Sequence, residues 1–201
     1  MYQSFCFQNK IFRVIPHQSQ NILFIEVLNA QKSNLALYLL DLRRRETEFL
    51  LEYQDKQLLA LAAFRFLVFK QFPSRILPIV KGIKIYDRDL KKFILEEPEA
   101  QNFEYSENSF RYLLWDKVQT ITFPRQSPNH FLFPSFDENQ QNIVYQNFKI
   151  LFKPKKLEIY KEMELIFEYL LENEIHKNFF IMNSYFIFQT QENEISVLDL
   201  K

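Results

Sequence analysis

The sequence predicts a mainly β protein, and three observations predict it. Short runs rich in Phe, Ile, Val, Leu and Tyr recur between polar breaks, glycine is nearly absent, and an apolar alternation ending in Asp returns along the chain. Period-two alternation sends successive side chains to opposite faces of a sheet, so runs of this kind read as half-buried strands. With 47% hydrophobic residues and 23 Phe, burial is sufficient to offset chain entropy, which excludes global disorder. A chain of 201 residues supports one well-buried core, so a single β-rich domain over 1–201 is expected.

The first half shows the pattern best. Lys10 to Ile15, Ile22 to Leu28, Leu35 to Leu42 and Glu48 to Tyr53 are separated by Pro16 to Asn21, Asn29 to Asn34 and Arg43 to Thr47, each rich in turn formers or charge. Leu58 to Phe72 fits a buried helix or two strands. Its aromatic and β-branched content favours strands, with a turn near Ala62 and Ala63. Gly82 to Asp87 and Lys92 to Leu95 flank the polar turn Arg88 to Lys91 as a hairpin would. Prolines mark Glu96 to Asn102 and Phe123 to Asp137 as loops, the second packed on the core through Phe131, Phe133 and Phe136. From Leu157 the reading divides. Met163, Ile166, Phe167 and Leu170 share a helical face opposite Glu164, Glu168 and Glu172, which predicts one short helix over Glu162 to Asn173. Phe179 to Phe188 and Glu194 to Leu200 return to strand character. Gly82 is the only glycine, so the turns are expected to be made by Asn, Asp, Ser and Pro.

Alternation followed by Asp occurs at Leu37 to Leu42 with Asp41, at Ile83 to Asp87, and at Ile195 to Leu200 with Asp199. The aspartates are spaced as one and then about two supersecondary units of about 40–50 residues. An Asp that tightens the turn between two strands is the form taken by the strand pairs of β-propeller blades. The fold class is therefore mainly β with propeller-like antiparallel blades, as an incomplete or small propeller.

Composition narrows the function. Twenty-five basic and 25 acidic residues cancel, so no long-range field draws the chain to nucleic acid or to an anionic bilayer. A single cysteine, Cys6, rules out an internal disulfide and a cysteine-rich zinc site, and it fits a reducing, cytoplasmic setting. Met1 to Lys10 lacks a signal-peptide pattern, and the apolar run Leu58 to Phe69 is too short to span a membrane and holds Arg65. Phosphate-cradling loops need several close glycines, so nucleotide cofactors of that kind are not expected.

A second set of residues carries a resemblance. Ile11-Phe12-Arg13, Ile25-Glu26-Val27, Leu40-Asp41-Leu42, Pro78 with Lys81-Gly82-Ile83 and Asp87, and Ser184-Tyr185-Phe186 resemble successive landmarks of a bacterial family known only as a domain of unknown function, with propeller-like repeats. Phe12 stands where that family usually has Trp, and Phe186 where it usually has a second Tyr. The resemblance implies a fold and a lineage and no activity.

Candidate chemistry is sparse. Cys6 between Phe5 and Phe7 has no nearby base and is expected to be a buried structural thiol. His17, His130 and His176 form no metal-binding pair and are expected at the surface or in caps. Glu164, Glu168 and Glu172 read as a solvated face, and Arg43-Arg44-Arg45 as a charged turn. No catalytic residue and no metal ligand is expected. Trp115, with Arg111 and Tyr112 nearby, is the candidate contact for a ligand or partner, because large aromatics with polar handles anchor interfaces. The expected function is non-enzymatic binding or scaffolding, with a protein partner. The alternative is a hydrolase or lyase acting on a sugar-like ligand. A polar pocket with two carboxylates about 5–10 Å apart would favour the enzyme, and an exposed apolar patch without one would favour the binder.

Overall fold

The alternating runs of the first half pair with their neighbours in chain order, as short connections favour. The computed structural model describes residues 2–17, 20–29, 31, 34–54, 56–62, 65–71, 82–106, 109–122, 131–132, 142–153, 155–170 and 179–201. These residues form β1 (Tyr2–Cys6), β2 (Ile11–Pro16), β3 (Ile22–Asn29), β4 (Asn34–Asp41), β5 (Glu46–Tyr53), β6 (Lys56–Ala62), β7 (Phe66–Gln71), β8 (Ile83–Asp87), β9 (Lys92–Glu97) and β10 (Gln101–Ser106). There follow β11 (Ser109–Leu114), β12 (Lys117–Thr122), β13 (Phe131–Leu132), β14 (Asn142–Tyr145), β15 (Phe148–Lys153), β16 (Lys156–Lys161), β17 (Glu164–Leu170), β18 (Phe179–Met182), β19 (Tyr185–Gln191) and β20 (Glu194–Asp199).

The strands assemble as β2-β3-β4-β5, β6-β7-β8-β9, β10-β11-β12 and β14-β15-β16-β17, with a last sheet of β1-β20-β19-β18-β13. This is a mainly β protein of propeller-like antiparallel blades: the repeated unit is an up-and-down meander of four strands. The last sheet adds β13 beyond β18; counted from β18, β20 is its third strand and β1, the first strand of the chain, its fourth, with Tyr2 opposite Leu198 and Cys6 opposite Glu194.

The chain divides into two compact units, one of Met1–Ile11, Leu42–Arg45 and His130–Lys201 and one of Phe12–Asp41 and Glu46–Asn129. In the first, alternation turns Ile143, Ile150, Ile159, Phe179, Phe186 and Phe188 into one apolar cluster. In the second, Phe24, Leu37, Leu67 and Phe69 pack with Tyr53 and Tyr86, and a further cluster gathers Val68, Ile83, Ile85, Phe110 and Tyr112.

The Asp-ended repeat has a structural counterpart. Asp41, Asp87 and Asp199 are each the last residue of the third strand of a four-strand unit, β4, β8 and, counted from β18, β20. Asp87 Oδ1 accepts from the Asp89 N–H at 2.9 Å and Asp199 Oδ1 from the Lys201 N–H at 3.1 Å, the same bond to the residue two further on. That is an Asx turn, and at Asp87 it folds the chain back into β9 without needing glycine.

The expected helix over Glu162 to Asn173 is not formed where the structure describes it. Glu164–Leu170 is the strand β17, and the rest of the span lies outside the described residues. Tertiary packing outweighs the helical spacing: Phe167 and Tyr169 lie two apart on one strand face and meet the Tyr2 ring at 5.1 and 5.5 Å. Glu162 and Met163 both have positive φ and make the two-residue loop between β16 and β17, whose geometry suits a hairpin and not a helix start.

Turn chemistry also departs from expectation. Among the described residues, positive φ outside glycine falls on Arg45, Lys91, Trp115, Gln146, Lys155, Glu162 and Met163, and only Asn102 and Asn183 are of the expected types. A left-handed residue with a Cβ costs about 1–2 kcal/mol, a cost offset by the pairing of the strands on either side, whose twist calls for such turns. Met163→Gly should accordingly raise the unfolding free energy by about 1 kcal/mol, measured by urea denaturation.

Gly82 is the opposite case. Its φ is +99°, and a Cβ there would lie 2.8 Å from Gln71 Oε1 and 3.2 Å from the Pro98 backbone. Its N–H donates to Ala100 C=O at 2.8 Å and its C=O accepts from the Gln71 N–H at 3.0 Å, which locks the position. Gly82→Ala should cost about 1–3 kcal/mol, read as a lower urea midpoint.

The hairpin around Arg88 to Lys91 forms as expected, and Leu58 to Phe72 gives the paired strands β6 and β7, while Ala63 of the expected turn lies outside the described residues. Of the predicted loop Glu96 to Asn102, Glu96 and Glu97 end β9 while Gln101 and Asn102 begin β10. Of Phe123 to Asp137, only Phe131–Leu132 is described, as the short strand β13.

Candidate functional site

β11 and β12 form a hairpin in full register, from Ser109 opposite Thr122 to Leu114 opposite Lys117, closed by Trp115 and Asp116. Alternation sorts its side chains. Phe110 and Tyr112 turn inward to the core, with their rings 6.1 Å apart. Arg111 turns outward, its Nη1 4.0 Å from Glu104 Oε2. Trp115, at φ 55°, projects from the loop 75% exposed, and Val118 follows at 68%. Of the three expected contact residues, Arg111 and Trp115 are thus open to solvent while Tyr112 is part of the core. Burial, followed by the Glu97 charge, pushes the Tyr112 phenol up, so it stays protonated.

A second feature lies on β14-β15-β16-β17. Ile143, Ile150, Ile159 and Phe167 align across its inner face, which leaves Val144, Lys149, Tyr160 and Leu165 aligned across the other. Beside that outer face a cavity of about 380 Å³ is lined mainly by Val144, Phe148, Leu151 and Met163, with Lys149 and Glu162 among its polar groups. Sequence reasoning did not single out these residues, because alternation alone does not say which face of a sheet is covered.

Three buried carboxylates each bind donors within their own sheet. Glu26 accepts from Arg13 Nε at 2.6 Å, from Arg13 Nη2 at 2.9 Å and from the Tyr53 hydroxyl. Asp87 is clasped by Arg65, with Nη2 2.6 Å from Oδ2, and that bond holds its carboxyl below the usual range. Glu158 meets Lys153 at 2.7 Å, Lys156 at 2.9 Å and the Tyr160 hydroxyl at 2.8 Å. Those donors depress its pKa to about 2, Lys153 contributing most. Each carboxylate is an acceptor with its oxygens occupied, a structural arrangement and not that of a proton-transfer group.

Cys6 corrects the sequence reading: it is exposed, because alternation in β1 turns Phe5 inward and Cys6 out. Its Sγ donates to Glu194 Oε2 at 3.3 Å. That bond raises the thiol pKa, with burial and the Glu194 charge adding to it, so the nucleophilic thiolate is disfavoured. His17 is buried and not at the surface; its Nδ1 accepts from the Gln20 N–H at 3.1 Å, a turn-capping role. His130 and His176 lie outside the described residues. Among the described residues no group of three or more His, Cys, Asp or Glu is placed to hold a metal ion, and no helix is long and apolar enough to cross a membrane.

Burial, and then the Arg88 charge, lowers the His17 pKa to about 4. The unfolded chain therefore takes up the proton near pH 6.5 while the folded chain resists it until about 4. This contribution to stability is complete above about pH 6.5, falls as the pH drops toward 4, and amounts to about 3 kcal/mol. His17→Gln should flatten that part of the pH profile, measured as the difference in urea midpoint from the parent chain across the interval.

The sheets and these sites define the class, a propeller-like β protein with apolar surface at its hairpins. No family profile matches the chain, and no curated protein is similar to it. Among solved structures it is similar to Hsv2 of Kluyveromyces marxianus, at 11% identity and a TM-score of 0.35 over 96% of this chain. It spans 59% of that structure's length. It is also similar to the β-propeller domain of the Trilobed protease from Pyrococcus furiosus, at 12% identity and a TM-score of 0.40, covering 96% of this chain and 69% of that one. A third likeness is to BamB from Moraxella catarrhalis, at 8% identity and a TM-score of 0.29, covering 91% of this chain and 68% of that one. The propeller-like class rests on the chain's own sheets.

Proposed function

We propose that the chain is a non-enzymatic binding or scaffolding domain of propeller-like type, a single β-rich domain over 1–201 whose partner is a protein. The observation that carries this reading is the pair of large apolar side chains, Trp115 and Val118, held in solvent on a regular hairpin. An aromatic on a rigid element costs little entropy to dock, which is why such residues concentrate binding energy. The cavity beside β14-β15-β16-β17 supports the same reading: its lining is mainly apolar, and Glu162 is the carboxylate among the described residues that line it. A sugar-cleaving site needs two. On the same footing we place the chain with the uncharacterised bacterial family whose landmarks it shares, and in the cytoplasm.

Affinity capture with the full chain should repeatedly retain the same protein from its native extract. The purified pair should then lose affinity about tenfold with Trp115→Ala, as removal of an anchor does. Hydrolysis of a glycoside by the purified chain, lost on Glu162→Gln, would replace this reading with the enzyme.

A further inference from the structure

The sheet β10-β11-β12 has no fourth strand among the described residues, whereas the four-strand meander recurs in the other sheets. Where the meander is complete, the fourth strand is β5, β9, β17 or, in the last sheet, β1. The last sheet shows that the fourth place can be filled by a strand distant in sequence, since β1 pairs β20 over five residues.

The edge of β12, unpaired among the described residues, differs from the edges at the same place in the other sheets. β5, β9 and β17 each carry a register shift against the third strand, at Leu37/Tyr38, Ile85/Tyr86 and Ile159/Tyr160. They are also charged: Glu46, Glu48 and Glu52 in β5, Lys92, Glu96 and Glu97 in β9, and Glu164 and Glu168 in β17. Bulges and charges are the devices by which sheets refuse further strands. β1 is regular, but it already occupies the fourth place. β12 is Lys117-Val118-Gln119-Thr120-Ile121-Thr122, regular against β11 over all six residues, with one charge, at its start, and no proline. β-branched residues at Val118, Thr120, Ile121 and Thr122 favour an extended partner beside them. The sequence after it, Phe123 to Asn129, holds Pro124 and Pro128, which lack the N–H a ladder requires.

We infer that the open edge of β12 receives an extended segment of a protein partner, which adds as the fourth strand of this sheet. The inference rests on the binding reading above and gives it a mode, strand addition, in which main-chain bonds supply affinity and alternate side chains supply specificity. Leu114 and Lys117 flank a two-residue loop and so exchange the closing bonds of the hairpin. By alternation, the N–H and C=O groups of Val118, Thr120 and Thr122 point away from β11 and toward the incoming strand. A segment in which apolar and polar residues alternate would set its apolar side chains beside Ile121, extending the cluster of Phe103 and Phe110, and its other side chains beside Val118 and Thr120. Trp115 stands at the end of the edge, where the partner strand begins or ends.

The test uses the full chain and a displayed library of alternating peptides of about six residues, the length of β12. A selected peptide should slow hydrogen exchange at the Val118, Thr120 and Thr122 amides about tenfold. Thr120→Pro should weaken its binding about tenfold with an unchanged circular dichroism spectrum, because the lost N–H faces outward, where an edge strand tolerates proline. Val118→Lys, which keeps every N–H and adds an edge charge, should weaken it likewise if the proline variant does not fold. Three results would overturn the inference: those amides already protected in the monomeric, peptide-free chain, as when its own segment fills the place; protection that appears only as the chain dimerises; or selected peptides that all protect other amides. A protein captured from the native extract that binds parent and Thr120→Pro alike would remove the edge mode and leave the binding reading standing. Failure of both capture and selection would remove both.

Discussion

Glu26→Ala is expected to lower the unfolding free energy by about 3 kcal/mol, the cost of removing the buried member of a hydrogen-bonded ion pair whose guanidinium is partly exposed. Glu26 is fully buried in the middle of β3 and answers two donors, the Arg13 guanidinium on β2 and the Tyr53 hydroxyl on β5. Burial, then the Glu26 charge and its hydrogen bond, pushes the Tyr53 phenol well up, so the tyrosine remains a protonated donor at any ordinary pH. Removing the carboxylate leaves a guanidinium and a phenol without this acceptor, and each bears its own desolvation cost. Arg13→Met combined with Glu26→Leu should recover a large part of the loss, since apolar replacement of both partners leaves no charge stranded. Urea midpoints at constant slope give both values. A loss below about 1 kcal/mol for Glu26→Ala would mean that the pair is open to water.

Phe186→Ala should cost about 3–5 kcal/mol by opening a cavity at the centre of its cluster. Phe186 is fully buried on β19, stacked on Phe188 at 5.0 Å, with Phe179 at 6.3 Å and Phe152 at 6.4 Å. Phe186→Leu should cost less than half of that, because most of the volume remains. Phe186→Tyr should cost about 1–3 kcal/mol if its hydroxyl finds no partner in the cluster. A thermal shift for Phe186→Ala no larger than that for Phe186→Leu would show that the cluster collapses around the gap.

The strand pattern of the first half was legible because one face of each sheet is buried and the other wet, which writes alternation into the sequence. The Asp repeat was legible for a different reason: a tight turn after the third strand needs a side chain that can accept from the next backbone N–H. Glu162 to Leu170 was misread as a helix because β17 is an outer strand with apolar residues on both faces, Ile166 and Leu170 on one and Phe167 and Tyr169 on the other. Two-sided apolarity mimics a period of 3.6. The turn residues escaped because left-handed φ at Trp115, Gln146 or Met163 is imposed by the strands on either side and not by local preference. Of the candidate site, Trp115 and Arg111 were visible as residue types, whereas the inward turn of Tyr112 depended on register. That β12 has no fourth strand beside it among the described residues was invisible, since it is a statement about a neighbour.

The pairing of the chain's start with its end carries the four-strand unit and the idea that a distant strand can fill its last place. It can be tested with one added cysteine. Cys6 is the only cysteine and stands opposite Glu194 across β1 and β20, so Glu194→Cys places two thiols side by side. Mild oxidation at low protein concentration should consume both thiols in a monomeric product, seen by thiol titration and by mass after limited proteolysis. Two thiols that stay free, or that link only between molecules, would contradict the pairing and the meander built on it.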